Sequence, residues 1–266
     1  MNRKKLLLLL LFLPLSQSFG QSFLKDYIHK KREQKQDRYA NEQIWKSNLI
    51  GLSQQNSQNL VFSPLLYAGF GVSQLSTRTN LYKNRINTFR SEISANALAA
   101  ANAKSVFFGI NAAVFYGKLK KINDNLAVGG EAGFLLYSRI NPDFQNNALQ
   151  LESILNFSPK VIYQTKITRK IDAEFQLSVP VVGLSMLTPK YAFSFDGIET
   201  KLNAFHNSFM PRTSILLTLP PNKRFKNNRY QIGYQWQMLR INRGNQNTLT
   251  TGIHSLYFIG NISKIK

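Results

Sequence analysis

The chain contains segments in which apolar and polar residues alternate for nine or more positions. The clearest of these are residues 106–116, 171–179 and 230–238. Alternation with a period of two places one kind of side chain on each face of a β-strand. Strands of soluble proteins average about five to six residues, whereas a tilted strand needs about 9–11 residues to cross the hydrocarbon layer of a membrane. The pattern therefore predicts long amphipathic β-strands.

Further strands are predicted between turn-forming clusters such as Asn123-Asp124-Asn125 and Pro220-Pro221-Asn222. Residues 126–136 alternate clearly, and weaker segments are 66–77, 85–93, 148–157, 191–195, 212–219 and 249–262. The region 148–168 reads either as one long strand or as two strands joined at Ser158-Pro159-Lys160. We predict about ten strands, with eight and twelve also open, because bacterial barrels of this kind have even strand numbers.

The composition of the two strand faces favours a membrane barrel over a soluble β-sandwich. One face is rich in polar and charged residues, which suits a wet lumen better than a dry core. The other carries aromatic residues, which prefer the headgroup level of a membrane. We predict an antiparallel transmembrane β-barrel over residues 60–266. Its lumen-facing polar candidates are Lys118, Glu131, Arg139, Asp172, Glu174, Gln231 and Gln235. Its interface aromatics are Tyr116, Phe134, Tyr230, Trp236 and Tyr257. A secreted soluble β-protein that binds a ligand is the alternative fold.

The first 21 residues have the order of a secretory signal peptide. Arg3, Lys4 and Lys5 precede the apolar run 6–13, and small residues follow near Gly20. The run is too short to span a bilayer as a helix, which needs about 20 residues. A helix over 93–117 is excluded by its polar interruptions, among them Lys104. We therefore predict export, with a retained anchor as the alternative reading of residues 1–21.

Residues 22–59 differ from the rest of the chain. Apolar residues spaced by three and four at either end predict helix, and the charged middle is too polar to bury. We predict a periplasmic helical extension and linker that other envelope proteins could contact. A helix lying on the membrane surface is the alternative.

Charge and composition limit the partners. After residue 21 the chain keeps 31 basic and 13 acidic side chains, a net charge of +18, and the whole chain has no cysteine. Disulfides and thiol chemistry are therefore excluded. An exported protein does not routinely meet nucleic acid, so we predict outer-membrane lipid and lipopolysaccharide as the anionic partners.

Catalytic and metal-binding motifs are scarce. With three histidines and no cysteine, no metal site or cofactor is predicted. His254 and Ser255 are consecutive in a predicted strand and point to opposite faces, so they cannot pair with each other. His206 falls in a predicted loop. The paired carboxylates Asp172 and Glu174 are predicted to form lumen ion pairs.

The leader ending in Phe19-Gly20-Gln21, followed by tandem amphipathic strands, resembles small outer-membrane barrel proteins of Bacteroidota-type bacteria. The resemblance covers about residues 1–21 and 60–264 and includes no motif, so no functional residue follows from it. The chain ends Ser263-Lys264-Ile265-Lys266, whereas many barrels end on an aromatic residue.

The barrel pattern and the missing catalytic motifs favour a non-enzymatic outer-membrane barrel. It would be structural, a narrow conduit or an envelope-assembly component, and ten strands predict a plugged or narrow lumen. A barrel enzyme that acts on membrane lipid through His254 or His206 is the alternative function.

Overall fold

The computed structural model describes residues 42–59, 63–100, 105–140, 149–187, 199–204, 207–221, 228–242 and 248–265. The predicted signal peptide, most of the predicted helical extension, the predicted strand 191–195 and His206 lie outside these residues. Within them, no helix is long and apolar enough to cross a membrane.

The regular elements of the described residues are β-strands, many of them longer than 14 residues. They are β1 Gln43–Asn59, β2 Ser63–Leu81, β3 Arg85–Ala100, β4 Val106–Lys121, β5 Leu126–Ile140, β6 Leu149–Lys166, β7 Asp172–Ser178, β8 Val182–Leu187, β9 Glu199–Ala204, β10 Ser208–Phe209, β11 Arg212–Pro221, β12 Asn228–Asn242 and β13 Thr248–Lys264. Lengths of 15–19 residues for β1–β6 exceed the number needed to cross a hydrocarbon layer.

The strands form a closed antiparallel barrel. Each strand from β1 to β7 pairs with the next, β7 pairs with β11, β11 with β12, and β12 with β13. Strand β13 pairs back with β1 from Trp45↔Lys264 to Asn59↔Leu249, which closes the ring. Strand β8 continues β7, and β9 and β10 precede β11 in the same position of the wall. The ring therefore has ten strand positions, which confirms the predicted all-β barrel of about ten strands.

The barrel begins earlier in the chain than predicted. Residues 43–59 were expected to belong to a helical extension and linker, but they form β1, which pairs with β2 and β13. The inward side chains of β1 include Ser53, Gln55 and Ser57, and Gln54 and Asn56 face outward. Because both faces are polar here, the period of two does not appear in hydrophobicity. The helical prediction for 43–59 and the barrel boundary at residue 60 are therefore wrong.

The region 148–168, for which one or two strands remained open, contains the single strand β6. Pro159 can lie inside β6 because it faces the break between β7 and β8, where the strand pairing is irregular. No partner there requires the backbone N–H that proline lacks. The carbonyl of Pro159 accepts a hydrogen bond from Val179 at 3.3 Å, and that of Phe157 accepts one from Val181 at 3.0 Å. Pro180 lies between these two donors and separates β7 from β8. The discontinuity that proline imposes therefore falls in β7–β8 instead of β6.

The two faces of the wall differ in chemistry and exposure. Outward side chains such as Phe70, Phe108 and Leu256 are 70%, 52% and 57% exposed, whereas inward ones such as Leu98 are fully buried.

The barrel has two ends, which we name for the elements there. At the terminal mouth β1 begins, β13 ends and short turns join β2–β3, β4–β5 and β6–β7; the loop mouth is the opposite end. Between the two mouths, the closed ring of paired strands encloses the lumen.

The lumen as the candidate functional site

Charged side chains from four strands, and an amide from a fifth, meet inside the barrel. We call this set the central network: Arg90 and Glu92 of β3, Glu131 of β5, Lys160 of β6, Arg212 of β11 and Gln235 of β12. All six are buried, although they face the lumen and carry polar groups. They reach this place because each lies on the inward row of a strand whose alternate residues face outward.

Arg212 links the two carboxylates of the central network. Its guanidinium forms an ion pair with Glu131 and lies 3.6 Å from Glu92. Glu131 also forms an ion pair with the Lys160 ammonium at 2.6 Å, and Arg90 Nε lies 2.5 Å from Glu92. Three cations thus share two carboxylates, which leaves the network with one net positive charge.

Neutral groups surround these charges. Gln235 donates a 2.7 Å hydrogen bond to Glu92, and the Tyr257 hydroxyl donates to Gln235 at 3.3 Å. Arg90 donates to Gln176 at 3.3 Å and to Ser214 at 3.4 Å. The guanidinium carbon of Arg212 lies 3.4 Å from the centroid of the Phe115 ring, a cation–π contact. Buried charge is tolerated only with such partners, so the network fixes opposite walls of the barrel to each other.

A second ion pair lies on the loop-mouth side of the central network. Arg139 lies 3.1 Å from Glu152 and donates to the Thr251 hydroxyl at 3.0 Å. Both partners of the ion pair are at most 2% exposed. This pair adds a polar crosslink between β5, β6 and β13.

Apolar side chains fill the lumen around these polar groups. The largest cluster contains Ala113, Phe115, Leu135, Tyr137, Ile154, Met210, Leu239, Ile241, Leu249 and Ile253. Two cavities among the inward side chains measure about 20 Å³ each, enough for about one water molecule. An open pore would leave its lining accessible to solvent, yet Arg90, Arg139 and Lys160 are at most 2% exposed. Side chains therefore occupy the lumen from the central network to the Arg139–Glu152 ion pair.

A larger cavity of about 610 Å³ lies at the terminal mouth. Its lining includes Trp45, Gln164, Asp172, Glu174 and Arg229. Arg229 and Asp172 form a 2.8 Å ion pair, and Gln164 donates to Glu174 at 2.6 Å. We call this cavity the vestibule. Its Asp172 side chain is 41% exposed, so the vestibule is far more accessible to water than the central network. The vestibule ends where inward side chains fill the lumen.

Six of the seven predicted lumen-facing residues fall into three places. Glu131 and Gln235 belong to the central network, and Arg139 to the second ion pair. The vestibule residues among them are Asp172, Glu174 and Gln231.

Lys118 was predicted to face the lumen, but it is exposed on the outer wall. Its ammonium lies 5.6 Å from the centroid of the Tyr116 ring, two residues away on the same outward row. Residues two apart in a strand share a face. The prediction for Lys118 is therefore wrong, and it conflicts with the outward assignment of Tyr116.

The predicted interface aromatics also divide. Tyr116, Phe134 and Tyr230 are 46%, 45% and 52% exposed on the outer wall, and Trp236 is half-buried there. Tyr257 is 2% exposed and faces inward, so its assignment to the outer wall is wrong. The strand β13 carries large side chains on both faces, and the ring of Tyr257 packs with Leu49, Leu75 and Leu216.

The predicted lumen-facing residues did not include Arg90, Glu92, Lys160 or Arg212. Arg90 and Glu92 occupy alternate positions of a segment already predicted as a strand, with Phe89 and Ile93 on the opposite face. Their position on the polar face of a predicted strand was the sequence signal that could have assigned them to the lumen. The meeting of four strands at one point is a property of the ring and has no counterpart in local sequence.

Of the two histidines named for the enzymatic alternative, the one that the structure describes, His254, lies away from the lumen. His254 is on the outer wall, where its Nδ1 lies 2.7 Å from the Tyr234 hydroxyl. Within the residues that the structure describes, no serine or threonine hydroxyl is hydrogen-bonded to it. The same residues contain no cluster of three His, Asp or Glu that could hold a metal ion.

A closed antiparallel ring that is apolar outside and polar at its centre defines the fold class of transmembrane β-barrels. Among solved structures, the chain is similar to the outer membrane protease OmpT from Escherichia coli, with a TM-score of 0.45 and 7% identity over 84% of this chain and 97% of that one. It is also similar to the translocator domain of the autotransporter NalP from Neisseria meningitidis, with a TM-score of 0.35 and 8% identity over 93% and 97% of the two chains. No family model and no curated protein matches the chain. The fold assignment rests on the closed sheet itself.

Proposed function

We propose that this chain is an integral outer-membrane protein that serves as a non-enzymatic structural component of the envelope and has a closed lumen. The observation that carries this proposal is the burial of the central network, in which charged side chains from four strands occupy the interior. A narrow conduit would need a continuous water-filled path through the lumen. At the level of Arg90, Lys160 and Arg212 the inward side chains are buried instead.

The membrane location is supported by the outer wall. Its exposed residues are mainly apolar and extend over most strand positions, which would be an aggregation hazard on a soluble protein. Closure of the ring satisfies the backbone groups of the strands, as a hydrocarbon environment requires. The secretory pattern of residues 1–21 favours the outer membrane, because exported barrels insert there.

Anionic headgroups are the proposed lipid partners. Lys46, Arg78, Lys118 and Lys120 are exposed on outward rows near the terminal mouth. Basic residues at the edge of an apolar wall attract anionic lipid. We place the terminal mouth on the periplasmic side, because the short turns of such barrels lie there. The headgroups in question are then those of the inner leaflet.

Conductance measurements test the closed lumen. Purified protein inserted into planar bilayers is expected to give no stable conductance steps, because the ion pairs of the central network occupy the lumen. The double variant Arg90→Ala, Arg212→Ala removes two of the largest inward side chains and is expected to give small steps. Stable steps of equal size from the wild type and the variant would contradict a lumen closed by this network.

A further inference from the structure

The central network carries one positive charge more than its carboxylates balance. Arg90 and Glu92 pair with each other, and Glu131 is shared by Lys160 and Arg212. The second ion pair of the lumen is neutral. The excess charge therefore lies on the side of the network where Glu131 meets two cations. A buried charge without a counter-charge is strongly unfavourable, so this side of the lumen favours an additional negative group.

One of the two small lumen cavities lies beside this excess charge. We call it the Arg212 cavity, because Arg212 lines it together with Glu131; its volume is about 20 Å³. The other polar side chains of its lining are Asn156, Ser158, Ser178 and Gln237. The asparagine and the two serines are at most 5% exposed. Within the part of the chain that the structure describes, none of these four side chains makes a hydrogen bond, so they point to a ligand that they hold.

The chemistry of the Arg212 cavity favours an anion as that ligand. Hydroxyl, primary amide and guanidinium groups can all donate hydrogen bonds, and Arg212 Nη1 is buried without a hydrogen bond to the described residues. Glu131 is the one carboxylate in the lining, and each of its oxygens already contacts a cation. The volume admits about one particle the size of water. A single-atom anion therefore fits, whereas phosphate is too large.

The other small cavity has the same volume but a different charge. We call it the Glu92 cavity, because it is lined by Glu92, with Ser73, Ser94 and Asn111 among its polar neighbours. None of the described residues that line it is cationic. A carboxylate without a cation in the lining repels an anion, so a water molecule is expected there. The two cavities therefore differ in the ligand that they select.

We propose that the Arg212 cavity is a binding site for one halide ion, with chloride as the natural ligand. The ion balances the excess charge of the central network and accepts hydrogen bonds from the surrounding hydroxyl and amide groups. These groups come from β6, β7 and β12, and Arg212 comes from β11, so the ion links four strands across the lumen. The site goes beyond the proposed structural role, because it assigns a ligand to the filled interior.

The chloride dependence of unfolding tests the site. Protein in lipid vesicles is unfolded by urea in mixtures of sodium chloride and sodium gluconate at constant ionic strength. A ligand of the folded state stabilises it by mass action, so each tenfold rise in chloride above its dissociation constant is expected to lower the unfolding equilibrium constant about tenfold. Ser178→Ala is expected to weaken chloride binding by about 10- to 100-fold, because it removes a hydrogen bond to a charged ligand.

Ser73→Ala is the matched control, since it removes a buried serine hydroxyl from the Glu92 cavity. It is expected to leave the chloride dependence unchanged. Lys160→Met removes the excess charge from a residue outside the cavity lining and is expected to abolish that dependence. Wild-type unfolding that does not respond to chloride, or a chloride response that persists in Lys160→Met, would overturn the proposal.

Bromide locates the ion directly in the wild-type protein. Crystals grown in sodium bromide are expected to show an anomalous scattering peak in the Arg212 cavity and no such peak in the Glu92 cavity. A solvent peak without anomalous signal in the Arg212 cavity would identify water and contradict the proposal. Both readouts are separate from conductance, so failure of the halide site and failure of the closed lumen are distinguishable.

Discussion

Replacing Glu131 by glutamine is expected to lower the free energy of unfolding by about 3–5 kcal/mol, the range found when one partner of a buried ion pair is removed. The substitution keeps the size of the side chain and removes its charge. Lys160, 2.6 Å away, and Arg212 then remain buried with Glu92 as the carboxylate near them. Three cations cannot be compensated by one carboxylate in a filled lumen. Unfolding by urea in lipid vesicles measures the change.

Asp172→Asn provides the matched control for Glu131→Gln. It also removes a carboxylate that is paired with an arginine, at 2.8 Å, but this pair lies in the vestibule and its aspartate is 41% exposed. Solvent screens such a pair, so the expected change is about 1 kcal/mol or less. Equal effects of the two substitutions would contradict a dry, filled interior at the level of Glu131.

Replacing Val114 by arginine is expected to destabilise the protein by about 2–4 kcal/mol, the range for a basic residue near the bilayer midplane of a barrel. Val114 faces outward near the middle of β4 and is 42% exposed. Its register neighbours are Ser91 and Phe134. On a soluble protein an exposed position of this kind would tolerate the change within about 0.5 kcal/mol. The same unfolding measurement in vesicles decides between the two environments.

Ile122→Arg is the control for Val114→Arg. Ile122 is 57% exposed in the turn between β4 and β5 at the terminal mouth, outside the strand wall. The expected change there is within about 0.5 kcal/mol. If arginine at Val114 were tolerated as well as arginine at Ile122, the outer wall would not face lipid.

The fold was predictable where the two faces of a strand differ in hydrophobicity. In β4, Phe108, Ile110 and Val114 face outward, and the inward row includes Gly109 and Asn111, so the period of two is visible in the sequence. In β1 both rows are polar beyond Leu52, and the alternation carries no hydrophobic signal. The strand is held in place by its two neighbours, which contribute backbone hydrogen bonds that depend little on side-chain type. Local patterns therefore missed β1 although it closes the ring.

The candidate site was predictable only in part. Glu131 and Arg139 could be assigned inward because apolar residues alternate with them in β5. Tyr257 could not be assigned from its residue type, since an aromatic side chain fits the outer wall and also the filled interior of a narrow barrel. The central network depends on which strands lie across the lumen from one another. That arrangement follows from closure and register, which no single segment of the sequence contains.

Fluorescence quenching of the two tryptophans tests the central claim most directly. The chain has two tryptophans. Trp236 faces outward on β12, and Trp45 lines the vestibule at the terminal mouth. The variants Trp45→Phe and Trp236→Phe each leave one of them. Each protein is reconstituted with phospholipids brominated on their acyl chains.

A lipid-facing outer wall predicts strong quenching of Trp236 by the brominated chains and weak quenching by aqueous acrylamide. Trp45, which lies inside the wall, is expected to show the opposite order, with little quenching by brominated lipid. Equal insensitivity of both tryptophans to brominated lipid, with Trp236 open to acrylamide, would contradict a membrane-embedded barrel.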